Sequence, residues 1–316
     1  MLISASRRTD IPAYYSEWFL NRLQEGEVLV PNVYNENHLS RVHLTPEEVE
    51  CIIFWTKNPI PMIPRLKEID AMGYQYYFEY TITGFGADLE PFLPKREERI
   101  DAFIQLSQHL GIEKVDWRFD PIMLNHTYTM ERMTEEYEIL CEQLHPYTNR
   151  CIISFVDAYK RKDNSFQEMG KVQMQQIAER IAGIAKKYDL PVYTCAEKID
   201  LSAYGIKHSA CVNQKKIENI IGSKIDLKKD KTQREICGCL ESIDVGMYDT
   251  CANGCRYCYA NRNNETSRTR QKMHSPDSPI LIGYPTGEEV ISKRAMMNNR
   301  VPQLSLFDYL KGEVEK

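Results

Sequence analysis

Short apolar runs alternate with amphipathic stretches up to about residue 198, and this alternation predicts a strand–helix succession. The strand candidates are residues 2–6 (LISAS), 51–55 (CIIFW), 75–82 (QYYFEYTI), 114–119 (KVDWRF), 150–156 (RCIISFV) and 191–195 (PVYTC). Each is short, rich in β-branched or aromatic side chains, and followed by a polar or Gly/Pro-containing loop. Helical signals lie between them. Thr45-Pro46-Glu47-Glu48 offers a capping Thr, a first-turn Pro and a capping-box Glu before a short helical turn. Residues 96–110 carry Ile100, Phe103, Ile104 and Leu106 on one side and stop at Gly111. Residues 171–188 repeat apolar positions at Val172, Ile177, Ile181 and Ile184, with Pro191 just beyond. Segment 27–44, with two apolar runs around Asn35-Glu36-Asn37, reads as an inserted hairpin.

Strands alternating with helices imply a parallel sheet with right-handed crossovers. Periodicity alone leaves an open sheet and a partial barrel as alternatives. In both, the reactive face lies at the carboxyl ends of the strands. Those ends carry Ser6-Arg7-Arg8-Thr9-Asp10, Trp55-Thr56-Lys57-Asn58, Thr81-Ile82-Thr83-Gly84, Arg118-Phe119-Asp120-Pro121, Asp157-Ala158-Tyr159-Lys160-Arg161 and Cys195-Ala196-Glu197-Lys198. Any one of these is an ordinary solvated loop; their shared position predicts a site. Beyond residue 199 the periodicity fades. Residues 214–234 are lysine-rich, and 261–300 are polar and irregular, with turn chemistry at Ser275-Pro276-Asp277-Ser278-Pro279.

At 316 residues, 42% hydrophobic and 27% charged, the chain can bury a substantial core as one large domain with a tail. A formal charge of -5 and a pI near 5.9 argue against indiscriminate nucleic-acid binding, leaving room for a local basic surface. No apolar run is long enough to span a membrane, and MLISASRRTD lacks a signal-peptide core, so a cytoplasmic protein is expected. Ten cysteines in such a chain are not five disulfides. Cys51, Cys141 and Cys151 stand alone in apolar segments and read as core residues. The other seven fall between residues 195 and 258, a clustering that metal ligation explains and core packing does not.

Cys251-Ala252-Asn253-Gly254-Cys255-Arg256-Tyr257-Cys258 is a C-x3-C-x2-C loop. Three thiolates so close together can wrap three irons of a [4Fe–4S] cube and leave the fourth iron open. S-adenosylmethionine (SAM) needs such an iron, which its amino and carboxylate groups chelate. The alternatives are a zinc site completed from elsewhere or a four-cysteine electron-transfer cluster. Zinc prefers paired C-x2-C arms, and no second such pair exists here.

The motif C-x3-C-x-Y-C resembles that of radical SAM enzymes, and Tyr257-Cys258-Tyr259-Ala260 is most similar to the spore photoproduct lyase branch. Trp55-Thr56-Lys57 and Arg118-Phe119-Asp120-Pro121 also resemble that branch, whereas the Gly-Gly-Glu motif that often holds the SAM amino group is missing. Nearly the whole chain, including Ser6-Arg7-Arg8-Thr9-Asp10 and Cys237-Gly238-Cys239, resembles a bacterial family of unknown function, domain of unknown function 1848. Its C-terminal cysteines have been likened to the radical SAM cluster. In radical SAM enzymes the motif follows the first strand; here it follows all six candidates. The resemblance therefore implies a circularly permuted, six-unit partial (β/α) barrel over 1–198. A cysteine-rich iron–sulfur segment over 199–262 would fold across the strand ends, followed by an irregular tail over 263–316.

The resemblance further implies a SAM cluster on Cys251, Cys255 and Cys258, with Tyr257 near the adenine. Arg118 and Asp120 would face SAM or substrate, with a structural ion pair as the alternative, and Lys57 joins them as a candidate catalytic residue. Cys195, Cys211, Cys237 and Cys239 could close a second [4Fe–4S] cluster or a structural zinc site. The cluster is favoured because Cys195 sits at a strand end. The implied cofactors are a [4Fe–4S] cluster, SAM and a second [4Fe–4S] cluster, with flavodoxin or ferredoxin as reductant. Gln303-Leu304-Ser305-Leu306-Phe307 resembles the peptide by which bacterial repair proteins dock on the DNA sliding clamp, with packing against the chain's own core as the alternative. It makes DNA repair or modification the leading substrate expectation. A competing reading is a non-enzymatic, iron–sulfur- or zinc-stabilised module that binds nucleic acid or the clamp.

Overall fold

The computed structural model describes residues 1–157, 168–294 and 299–301. Its strands are β1 (Leu2–Ala5), β2 (Glu27–Pro31), β3 (His38–His43), β4 (Cys51–Thr56), β5 (Tyr76–Thr81), β6 (Val115–Ile122), β7 (Cys151–Phe155), β8 (Val192–Cys195), β9 (Lys207–Ser209), β10 (Ile243–Asp244) and β11 (Val290–Lys293). The helices are α1 (Ile11–Tyr14), α2 (Ser16–Glu25), α3 (Leu66–Ala71), α4 (Arg96–Leu110), α5 (Met130–Leu144), α6 (Lys171–Lys187), α7 (Gln214–Ile221) and α8 (Asn264–Lys272). Eight strands form one sheet in the order β10-β1-β4-β5-β6-β7-β8-β9, every pair parallel. All six expected strands are in it. The expected hairpin is β2–β3, antiparallel, with β11 added parallel to β3.

Because successive strand residues point to opposite faces, each strand sorts its side chains cleanly. Ile3, Phe54, Phe78, Trp117 and Ile153 face the helices and join the main core with Phe19, Phe103, Tyr137 and Ile181. Trp117 stacks on Tyr137 of α5 at 5.0 Å. The opposite face carries Leu2, Cys51, Ile53, Tyr77 and Ile152, and no helix of the β–α crossovers covers it. The chain between residues 210 and 240 does so instead, through Cys211, Val212, Ile217, Ile225 and Leu240. Cys51, Cys141 and Cys151 are buried, as their apolar settings imply.

Several expectations need correction. Residues 45–49 make the expected single helical turn, Val49 N donating to Thr45 O at 3.0 Å, but Thr45 Oγ1 donates to the Glu48 carboxylate at 3.3 Å instead of capping a backbone N–H. Val172 opens α6 on its solvent side, and the helix seats itself through Ile177, Ile181 and Ile184. Residues 263–293 hold more regular structure than their polarity implies. Asn263 caps α8 by accepting from Thr266 N, and the Trp18 indole donates to Ser278 O at 2.9 Å, docking residues 278–282 against α2. Among the described residues no helix is long and apolar enough to cross a membrane.

Candidate active site

The inward face of the sheet concentrates the charge. In β6, Val115, Trp117 and Phe119 point to the helices, so Asp116, Arg118 and Asp120 point inward. The Arg118 guanidinium donates to Glu79 Oε2 of β5 at 3.1 Å and bonds Asp120, which also accepts from Ser154 of β7. Arg118 and Asp120 thus form an ion pair, and both also border the cavity described below. Burial alone would raise the Asp120 carboxyl, but Arg118 beside it holds it below the usual carboxylate range. Glu79, fully enclosed, is pushed well up by burial although Arg118 and Arg150 oppose this. Arg150 and Lys216 in turn hold Asp116. Two guanidiniums approach the Trp55 ring, Arg7 at 4.9 Å and Arg118 at 5.3 Å.

The C-x3-C-x2-C loop arrives from β10, whose pairing with β1 (Ile3 opposite Ile243) places it at the sheet's carboxyl end. Asp10, just after β1, ties three elements together. It accepts from Thr56 Oγ1 at 2.7 Å, Lys57 N at 2.8 Å and Asn253 Nδ2 at 2.9 Å. Tyr14 donates to Asn253 Oδ1 and Tyr15 to Thr250 O. Gly254 has φ +71, and a Cβ there would stand 2.5 Å from the Phe92 ring, so glycine is required. Glu90 is the second anchor. Buried within the loop between β5 and α4, it accepts from Lys57 Nζ at 2.8 Å, from Thr83 Oγ1 at 2.9 Å and from the Tyr257 hydroxyl, with Arg99 at 3.4 Å. Burial works to raise its carboxyl, and Lys57 and Arg99 bring it below its ordinary value. Tyr257 packs on Phe85 and Lys57, and Tyr259 donates to Arg7 O at 2.7 Å. Burial pushes the Cys251 and Cys255 thiols up, so a bound metal must displace their protons.

The other four cysteines also converge. Cys195 ends β8, Cys211 follows β9, and Cys237 and Cys239 come from the returning segment. The sulfurs of Cys195, Cys211 and Cys239 lie within 4.8 Å of one another, and Cys237 lines the same cavity beside them. Arg118 Nη1 donates to Cys211 Sγ at 2.6 Å, and Val212 N to Cys239 Sγ at 3.4 Å.

Both thiol sets open onto one cavity of about 320 Å³ at the strand ends. Lys57, Arg118, Asp120 and Tyr257 line it too, so every site residue expected from the sequence meets there. Sequence reasoning missed Glu79 and Glu90. Glu79 left a signal, a lone carboxylate within the aromatic run YYFEY; Glu90 left none. The docking peptide Gln303-Leu304-Ser305-Leu306-Phe307 lies outside the described residues.

Chemically, the cavity offers two groups of thiols able to ligate metal, cationic groups for an anion, and in Asp120 a carboxylate for a hydroxyl or amine. A family model described as domain of unknown function (DUF1848) matches residues 2–260. None of the curated proteins matches the chain. Solved structures with some likeness include one described as an alpha-L-fucosidase from Bacteroides thetaiotaomicron, at 10% identity and a TM-score of 0.26, covering 50% of this chain and 68% of that one. Another is an endoglucanase at 9% identity and a TM-score of 0.23, covering 66% and 87%. At these scores neither bears on fold or activity.

Proposed function

The chain belongs to the family of the domain of unknown function DUF1848, and we propose that it is a radical SAM enzyme on a circularly permuted partial barrel. One observation carries this reading. In space the strands run β10, β1, β4, β5, β6, β7, β8, β9, so the last in sequence of this sheet comes first. The motif loop leaves that edge strand, the place the radical SAM resemblance assigns to it. Joining the end of the chain to its start would restore sequential order.

The donor set fits the cofactor. Three thiols from one short loop, facing a cavity deep enough for a small molecule, suit a cluster with one iron left for an exogenous ligand. Cys251, Cys255 and Cys258 would hold it. When bound, cluster and SAM together supply one-electron cleavage of a sulfonium and a carbon radical able to take a hydrogen atom. The chain's own residues fix and shelter the site. Asp10 and Glu90 clamp the loop from either side through Asn253 and Tyr257. Lys57 is held by Glu90 and Arg118 by Glu79 and Asp120, so these cations serve binding and orientation rather than proton transfer. Asp120, kept ionised, is positioned to accept a hydrogen bond from a ligand's amine or hydroxyl.

The test is anaerobic reconstitution with iron and sulfide, then dithionite and SAM, with 5′-deoxyadenosine measured by chromatography. Wild type should form it, and Cys255→Ala should not. Formation undiminished in that variant refutes the assignment. A reconstituted wild type that makes none favours a metal-stabilised binding module instead.

A further inference from the structure

We propose that Cys195, Cys211, Cys237 and Cys239 bind one tetrahedral divalent ion of the zinc class, rather than a second iron–sulfur cube. Spacing decides this. A tetrahedral site with metal–sulfur bonds of about 2.3 Å has sulfur–sulfur edges of about 3.8 Å. A [4Fe–4S] cube instead places each thiolate outside a different corner iron, so its ligand sulfurs stand apart by the cube's own width as well. Here the sulfurs of Cys195, Cys211 and Cys239 are all within 4.8 Å. Cys237, two residues before Cys239, lines the same cavity and offers the fourth thiol. Three sulfurs so disposed enclose one ion, which Cys237 would complete, and have no room between them for a cube of four irons.

The surroundings suit thiolates. Four thiolates around a divalent ion carry a net charge of -2, which needs compensation in a buried site. Arg118 donates to Cys211 Sγ at 2.6 Å, and the partly buried Arg7 guanidinium adds positive charge near Cys239 and Cys211. The Val212 N–H points at Cys239 Sγ. An iron–sulfur cube would carry the same charge, so these groups argue for a thiolate site and the spacing selects the ion. The site's work is structural, because Cys195 ends a sheet strand while the other three ligands belong to the segment that covers the sheet's inner face. A metal here fastens that segment where apolar burial is thin.

This inference does not depend on the radical reading, and its experiment keeps the two apart. The chain is purified, desalted and analysed for metals as wild type and as Cys251→Ala/Cys255→Ala/Cys258→Ala, which cannot hold the first cluster. Both should retain about one zinc per chain. Cobalt exchanged into the triple variant should give the intense visible bands of a tetrahedral tetrathiolate. Cys195→Ala, at the least buried of the four thiols, should lose the zinc, and if it misfolds the wild-type and triple-variant measurements still decide. Iron and inorganic sulfide in the triple variant in place of zinc, or four metal-free thiols reacting with a disulfide reagent, would overturn the proposal.

Discussion

Glu90→Gln isolates the electrostatics of the cysteine loop. The substitution preserves shape and an acceptor for Lys57 and Thr83 but removes the charge that two buried cations share. The Glu90 side chain is 1% exposed, that of Lys57 15% and that of Arg99 5%, so solvent screens these pairs little. Breaking a buried pair from one side costs about 3–5 kcal/mol, because the partner charge is left uncompensated. The retained acceptor and the longer Arg99 contact of 3.4 Å put this case at the lower end, about 3 kcal/mol. At about 2–4 °C per kcal/mol for a large domain, the melting temperature should fall by roughly 10 °C. The pH dependence supplies an independent check. The folded-state carboxyl lies below its ordinary 4.5, so its stabilisation is fully present above pH 4.5 and is lost as pH falls through the lower folded value. The gap between wild type and variant should therefore be largest near neutrality and close in acid, where the wild-type carboxyl also becomes neutral. Denaturant unfolding followed by circular dichroism at neutral pH, and in steps below pH 4.5, measures both. A difference under about 1 kcal/mol, or one that stays constant with pH, would refute the role assigned to Glu90.

Gly254→Ala forces a side chain into the left-handed region and against the Phe92 ring, a cost of about 1–3 kcal/mol placed on the cysteine loop alone. Iron analysis after reconstitution should show reduced cluster loading with the zinc content unchanged. Asp10→Asn should lower stability by about 1–3 kcal/mol, because its new NH2 group must face either Lys57 N and Asn253 Nδ2 or Thr56 Oγ1 and Ala13 N, all of them donors. Thermal unfolding checks this; an unchanged melting temperature would show that the loop does not lean on β1.

The six longer strands of the main sheet were legible because each is a short β-branched or aromatic run, and the same period-2 logic sorts Asp116, Arg118 and Asp120 onto one face. The sheet's two edge strands were not. β9 has three residues and β10 two, Ile243-Asp244, too few to show any period. Helix α5 carries a full helical pattern in Met133, Tyr137, Leu140, Cys141 and Leu144. Chemistry that depends on residue type at fixed spacing, such as the C-x3-C-x2-C loop, can be read from a sequence. Chemistry that depends on burial cannot: Glu90 and Asp10 are ordinary loop carboxylates until the fold surrounds them.

The two thiol sets are linked by the path of the chain. From β9, at one edge of the sheet, residues 210–240 cross its inner face, packing Cys211, Val212, Ile217, Ile225 and Leu240 onto Leu2, Ile53, Tyr77 and Ile152. Only then does the chain reach β10 at the opposite edge, and ten residues beyond that strand's start Asn253, inside the cysteine loop, donates to Asp10. β10 pairs through two residues, a contact too short to find its register unaided. Its placement depends on the crossing segment being fixed first. The four-cysteine site lies at that segment's two ends, with Cys195 as its hold on the sheet. On the proposed reading, a metal there would stabilise the route by which the cysteine loop reaches the sheet edge beside β1, a fastening that a permuted chain would need where an unpermuted one begins on its motif strand.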